Sequence, residues 1–167
     1  MAASASPTEP VADRELTITR VYDAPARLLF AAWSQPEHLL RWFGPKGWPL
    51  TLCEVDFRVG GRYRFAMTGP SGDQNTPFGG QYLEIIPNRR IVFDNRFETP
   101  GAERMVMSVT FDEAPDGRTT TLTLHTLFGS AAMRKEHLGM GFAEGVGSGF
   151  DQLADVVAEL QAQEVAR

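Results

Sequence analysis

The sequence predicts an α+β domain in which a strongly curved antiparallel sheet wraps around one long C-terminal helix. Three observations lead there. From Leu50 to Leu127 the chain alternates apolar and polar residues in short runs separated by turn residues, the period-two pattern of consecutive antiparallel strands. After Phe128-Gly129-Ser130, the residues Phe142, Val146, Phe150, Leu153, Val157 and Leu160 recur at spacings of three and four, a single apolar stripe on a helical segment reaching about Ala162. Between a first strand and this series lie two short helical patterns.

In the first strand, Glu15 to Tyr22, Leu16, Ile18 and Arg20 alternate with Thr17, Thr19 and Val21. Asp23-Ala24-Pro25 ends it and starts a helix, because proline in a first turn gives up no needed N–H; Leu28, Leu29, Ala32 and Trp33 form its apolar face. Ser34-Gln35-Pro36-Glu37 predicts a second helix, with Ser34 as cap and Glu37 reaching back to complete a capping box. Leu39, Leu40, Trp42 and Phe43 follow, and Gly44-Pro45-Lys46-Gly47 stops it. Six more strands are expected over Leu50–Arg58, Gly61–Thr68, Gly79–Ile86, Arg90–Glu98, Arg104–Glu113 and Thr119–Leu127, making seven in all. Gly60-Gly61, Gly69-Pro70-Ser71-Gly72-Asp73, Pro87-Asn88, Pro100-Gly101 and Pro115-Asp116-Gly117 separate them.

Alternation assigns faces. Tyr63, Phe65 and Met67 share one side of their strand, as do Met105, Met107, Val109 and Phe111 of a later one, while Arg62, Arg64 and Arg104 lie opposite. The helix stripe can dock only on that apolar side. Gly139, Gly141, Gly145, Gly147 and Gly149 interrupt the helical segment, at up to ~1 kcal/mol each in a helix interior. They signal a close approach to the sheet, a mobile segment gating a cavity, or fraying before Gly149. Residues 1–14 and 163–167 read as tails around a domain spanning 15–162.

Composition excludes several functions. A net charge of −5 and a pI near 5.2 argue against nucleic acid, and Arg58, Arg62 and Arg64 follow directly on Glu54 and Asp56. No apolar run reaches the ~20 residues of a membrane span, and Met1 to Asp13 lacks the pattern of a signal peptide. The single cysteine, Cys53, can form no internal disulfide and packs as a small hydrophobe, so a cytoplasmic setting is expected. His38, His125 and His137 show no metal-ligand spacing, and neither a metal nor another cofactor is expected. Gly145-x-Gly147-x-Gly149 lacks the preceding strand of a dinucleotide loop.

The apolar stripes are candidates for a cavity wall, since a sheet gripping one helix closes incompletely. On the helices the candidates are Trp33, Trp42, Phe142, Val146 and Phe150; on the strands, Phe65, Met67, Tyr82, Phe93 and Met107. No catalytic residue is assigned. A cavity carboxylate, Asp94 or Glu84, would be needed for the alternative of a cofactor-free cyclase, with Glu84 on the side of Tyr82 and Asp94 opposite Phe93. An apolar patch around Trp42, Phe43 and Trp48 is a candidate contact for a protein partner or a second copy of the chain.

Three stretches carry a resemblance: Leu16-Thr17-Ile18-Thr19-Arg20-Val21-Tyr22-Asp23-Ala24-Pro25, Ala32-Trp33-Ser34-Gln35-Pro36-Glu37-His38-Leu39 and Arg41-Trp42-Phe43-Gly44-Pro45-Lys46-Gly47. With Asp56-Phe57-Arg58-Val59-Gly60-Gly61-Arg62-Tyr63, Gly80-Gln81-Tyr82-Leu83-Glu84-Ile85-Ile86-Pro87 and Thr121-Leu122-Thr123-Leu124, the chain is similar to the activator of heat-shock protein 90 ATPase-like (Aha-type) family. The similarity runs from about Glu15 to Leu160. It implies the helix-grip fold of the wider START-like (SRPBCC) superfamily, with a hydrophobic cavity between sheet and helix. Relatives often carry a Gly-Trp pair where this chain has Gly145-Val146 and Gly149-Phe150. The expected function is binding of a small hydrophobic or lipid-like ligand. The alternatives are a polyketide cyclase-like enzyme, or a co-chaperone-like domain regulating a chaperone ATPase.

Overall fold

The computed structural model describes residues 9–166. Seven strands form one antiparallel sheet: β1 (Glu15–Tyr22), β2 (Leu50–Val55), β3 (Arg62–Met67), β4 (Phe78–Ile86), β5 (Arg90–Phe97), β6 (Met105–Glu113) and β7 (Thr120–Leu127). Their order is β1-β7-β6-β5-β4-β3-β2, so β2 to β7 are successive hairpins and β1 closes against the last of them. Four helices accompany the sheet: α1 (Ala26–Ser34), α2 (Pro36–Trp42), α3 (Ala131–Gly139) and α4 (Phe142–Val165). This is the helix-grip arrangement, a curved sheet holding α4, with α1 and α2 packed beside it.

Where the boundaries differ from the sequence expectation, local chemistry explains the shift. Pro36 at the first turn of α2 pushes the residue before it into extended backbone, and Gln35 sits at φ −103°, ψ 126°. The break between the short helices therefore falls at Gln35. Ser34 ends α1, its Oγ donating to the Ala31 carbonyl (3.3 Å), and forms no capping box with Glu37. The expected single C-terminal helix is two. Ser130 caps α3 by accepting from the Met133 N–H (3.0 Å), and the chain turns at Gly141, whose φ of 88° suits only a residue without a Cβ. Gly145, Gly147 and Gly149 all lie inside α4, which does not fray there.

Of the expected tails, residues 1–8 and 167 lie outside the described residues. Val11–Asp13 form a 3-10 turn, and Arg14 donates to the Phe128 carbonyl (3.3 Å), tying this segment to the end of β7. At the other end α4 runs three residues past Ala162 to Val165, where Glu164 pairs with Arg27 of α1.

The core lies between the concave sheet face and the helices. Tyr63, Phe65, Phe93, Val109, Phe111, Leu122 and Leu124 meet Leu29, Trp33 and Trp42 from α1 and α2 and Phe150, Leu153, Val156 and Val157 from α4. Burying those four α4 side chains contributes on the order of 8 kcal/mol before the entropy of ordering is counted. Tyr22 of β1 donates its hydroxyl to the Phe150 carbonyl (3.1 Å). Outside, Arg20–Asp151, Arg27–Glu164 and Arg41–Glu159 bind the solvent side of α4 to β1, α1 and α2.

Glycines let the strands approach closely within β3–β5. A Cβ on Gly80 would stand 2.1 Å from the Asp94 carbonyl oxygen, and one on Gly79 2.2 Å from that of Tyr63. By contrast, Gly147 faces only the end of the Arg20 side chain at 3.8 Å. Gly147→Ala should therefore stabilise the protein by about 1 kcal/mol, a rise of about 2–4 °C in Tm, through helix propensity alone. Gly80→Ala should destabilise it by about 2 kcal/mol or more, read as a lower urea midpoint.

Candidate ligand-binding cavity

The concave face is not completely filled. A cavity of about 270 Å³ lies between the sheet, α4, the joint between α3 and α4, and the Gly44-Pro45 turn after α2. Of the wall residues expected from sequence, Trp33, Trp42, Met67, Phe93, Met107, Phe142, Val146 and Phe150 line it. Phe65 and Tyr82 do not. They border a separate void of about 20 Å³ with Leu39 and Ile91. Tyr63 stands between the two spaces, its ring 4.9 Å from that of Phe65, 5.5 Å from Tyr82 and 5.7 Å from Phe93. Met140 lines the cavity and is yet 67% exposed, so the space reaches the surface where α3 meets α4.

Polar side chains interrupt the apolar wall. Asn95 of β5 is 8% exposed, and its Oδ1 lies 2.9 Å from the Tyr63 hydroxyl, which also donates to the Asp94 carbonyl (2.7 Å). One phenolic proton cannot serve two acceptors fully. Whichever way the Asn95 amide is turned, one of its two polar arms is left to the cavity. His137 of α3 is 9% exposed, and its Nδ1 lies 2.9 Å from the Met133 carbonyl oxygen. A carbonyl only accepts, so Nδ1 carries a proton and donates it to Met133. The ring's Nε2 has no partner, and neither has the indole N–H of Trp33, whereas Trp42 Nε1 donates to the Ala32 carbonyl (2.9 Å). Each such orphan costs about 1–3 kcal/mol in a closed apolar space.

Alternation along β5 carried the Asn95 signal, since Phe93, Asn95 and Phe97 share one face. His137 stands four residues after the buried Met133, a spacing that points inward only once α3 is recognised as a helix of its own.

The carboxylates considered for acid–base work lie elsewhere. Asp94 points to the outer face, accepting from Arg104 Nε (2.8 Å) and from the Gln81 N–H (2.8 Å). Glu84 is turned outward by a β-bulge. Tyr82 pairs with Phe93 and Glu84 with Val92, so Leu83 is an extra residue that reverses the facing of those after it. Glu84 instead faces Arg90 at 3.5 Å. Among the described residues, no acidic or basic side chain other than the His137 ring borders the cavity. Burial pushes the Cys53 thiol up to about 11, leaving it protonated at neutral pH. No three His, Cys, Asp or Glu residues among those described gather as metal ligands, and no described helix is long and apolar enough to cross a membrane.

The expected surface patch also dissolves. Trp42 is 3% exposed against Trp33 and Phe150, Phe43 is half-buried against Phe65, and only Trp48 remains outside, lying over Gly69. The rings that sequence placed together for a partner are committed to the core.

Residues 23–158 match the family described as Activator of Hsp90 ATPase homolog 1-like protein. This chain belongs to that family. Solved structures share the architecture of this Aha-type domain. A protein from Nitrosomonas europaea is 29% identical, with 90% of this chain and 98% of that chain covered and a TM-score of 0.79. One from Arthrobacter aurescens is 27% identical, covering 90% of each chain, with a TM-score of 0.79. One from Mycobacterium smegmatis is 26% identical, covering 90% of this chain and 95% of that one, with a TM-score of 0.78. No match is found among curated proteins.

All three tyrosines are held above their ordinary pKa of 10.0, in each case mainly by burial, with Tyr82 and Asp94 adding to the rise at Tyr63. The unfolded chain would lose these protons near pH 10 while the folded domain keeps them. Stability from this source is therefore complete below pH 10 and is lost as pH rises from there through the folded-state values. Phenolate absorbance on alkaline titration should thus stay flat past pH 10 and then appear in one step, together with loss of the circular dichroism signal.

Proposed function

We propose that this Aha-type domain is a receptor for a small, mainly apolar molecule held between the sheet and α4. The observation that supports the reading is the space of about 270 Å³ walled by rings and methionine side chains. A dry cavity of about 150 Å³ holds one benzene, so by proportion this space suits a ligand of about eleven non-hydrogen atoms. Met67, Met105, Met107 and Met140 all touch it, and flexible thioethers adapt to more than one shape. The Met140 opening supplies a path from solvent. Binding without catalysis fits a wall that, among the described residues, presents no carboxylate, lysine or arginine.

Calorimetric titration with 2-methylnaphthalene tests the reading. Saturable binding at one site in the micromolar range is expected, and ligand at a hundred times Kd should stabilise the fold by about 2.7 kcal/mol. Met107→Trp and Val146→Trp each fill the space from a different wall and should weaken binding at least tenfold while thermal unfolding stays cooperative. Absence of saturable binding to the unaltered protein, or undiminished binding in both variants, would overturn the receptor.

A further inference from the structure

We infer that the natural ligand carries one uncharged oxygen function, held inside the cavity by the side-chain amide of Asn95. The inference rests on the receptor reading above and adds the chemistry of the ligand's polar end. Among the described residues, five cavity-lining side chains carry nitrogen or oxygen: Trp33, Trp42, Tyr63, Asn95 and His137. The Trp42 indole is spent on the Ala32 carbonyl, and the Tyr63 hydroxyl lies between the Asp94 carbonyl and Asn95. His137 Nδ1 is bonded to Met133, while His137 Nε2 and Trp33 Nε1 are sealed by the atoms packed around them. Asn95 differs. One arm of its amide meets Tyr63; the other has no partner among the described residues and is not sealed. More than nine-tenths of this residue is buried, and its side chain stands on the concave face with Phe93 and Phe97. The open arm therefore faces the cavity.

Tyr63 holds the amide from one side, so the open arm is pre-positioned. If Oδ1 takes the phenolic proton, that arm is Nδ2, a donor; with the amide turned over it is Oδ1, an acceptor. A hydroxyl answers either arm, because it gives one proton and also accepts; a carbonyl answers the donor. An entering ligand displaces any water serving the amide, and one without a polar atom leaves it unmet. Charge narrows the class further. Neither arginine nor lysine borders the cavity among the described residues, so a carboxylate or phosphate would enter with no countercharge.

Three naphthalenes of matched width test this on the folded protein: 2-naphthol, 2-methylnaphthalene and 2-naphthoate. The unaltered protein should bind 2-naphthol about tenfold more tightly than 2-methylnaphthalene, the worth of one hydrogen bond to an otherwise unmet buried group, with 2-naphthoate the weakest. Asn95→Leu keeps the side-chain volume and leaves Tyr63 its bond to the Asp94 carbonyl. In that variant the preference should vanish, with 2-methylnaphthalene binding at least as tightly as 2-naphthol. A second readout needs no variant. In the 2-naphthol complex, nuclear Overhauser contacts should join the ring protons flanking the oxygen to the side-chain amide protons of Asn95. Equal affinities for naphthol and methylnaphthalene, a preference for naphthoate, an undiminished naphthol preference in folded Asn95→Leu, or amide contacts from the far ring alone would each overturn the oxygen function while leaving the receptor intact. If none of the three binds, the receptor itself falls, and the oxygen function with it.

Discussion

The structure depends on how the apolar stripe of α4 seats in the concave sheet. A single helix presents a convex ridge, whereas the curved sheet is a broader trough. Contact is close along Phe150, Leu153, Val156 and Val157, each buried almost completely. Toward the start of α4 the ridge falls away, because Gly145 and Gly149 supply no side chains and Val146 is small. What remains between Val146 and the strands is the cavity. The glycines leave it on one side, and the large rings of α1 and α2 wall it on another. Tight packing at one end of the helix and unfilled space at the other follow from the same residues.

Those rings explain why the space persists. Trp33, Trp42, Phe43, Phe93 and Phe150 brace one another edge to face and at tilted angles, with Trp33 and Trp42 centroids 4.8 Å apart. Rigid rings in mutual contact cannot rotate inward to fill a void as an aliphatic side chain can. Trp42 is further fixed by its bond to Ala32, and Tyr63 by the Asp94 carbonyl. The flexible part of the wall is thioether, and one of these side chains, Met140, stands at the opening. This frame of braced aromatics is what the proposed receptor relies on. The acids that could have moved protons sit across the sheet, paired with arginines in solvent.

Most of the architecture was legible from sequence because strands and helices advertise themselves by period. All seven strands lie within a few residues of where alternation and turn chemistry put them. Three misreadings share a cause: each turned on one residue that changes phase. Pro36 moved the break between α1 and α2, Gly141 split the final helical segment, and the extra residue Leu83 turned Glu84 outward. The cavity wall was legible by the same route for eight of its expected residues. Phe65 and Tyr82 also face inward, as expected, but depth along the strand decides which hollow they meet.

By itself the sequence determined the order of elements, the apolar face of each, and so a sheet that must enclose the last helix. Those properties are local, set by residues a few positions apart. Only the tertiary structure decided that the enclosed space is hollow near Val146, that Asn95, His137 and Trp33 all border it, and that two of them keep a buried polar atom without a hydrogen-bond partner. These residues come from β5, α3 and α1, and no periodicity relates them. Their meeting, and the polarity it gives the cavity, follow from the angle at which separate elements pack.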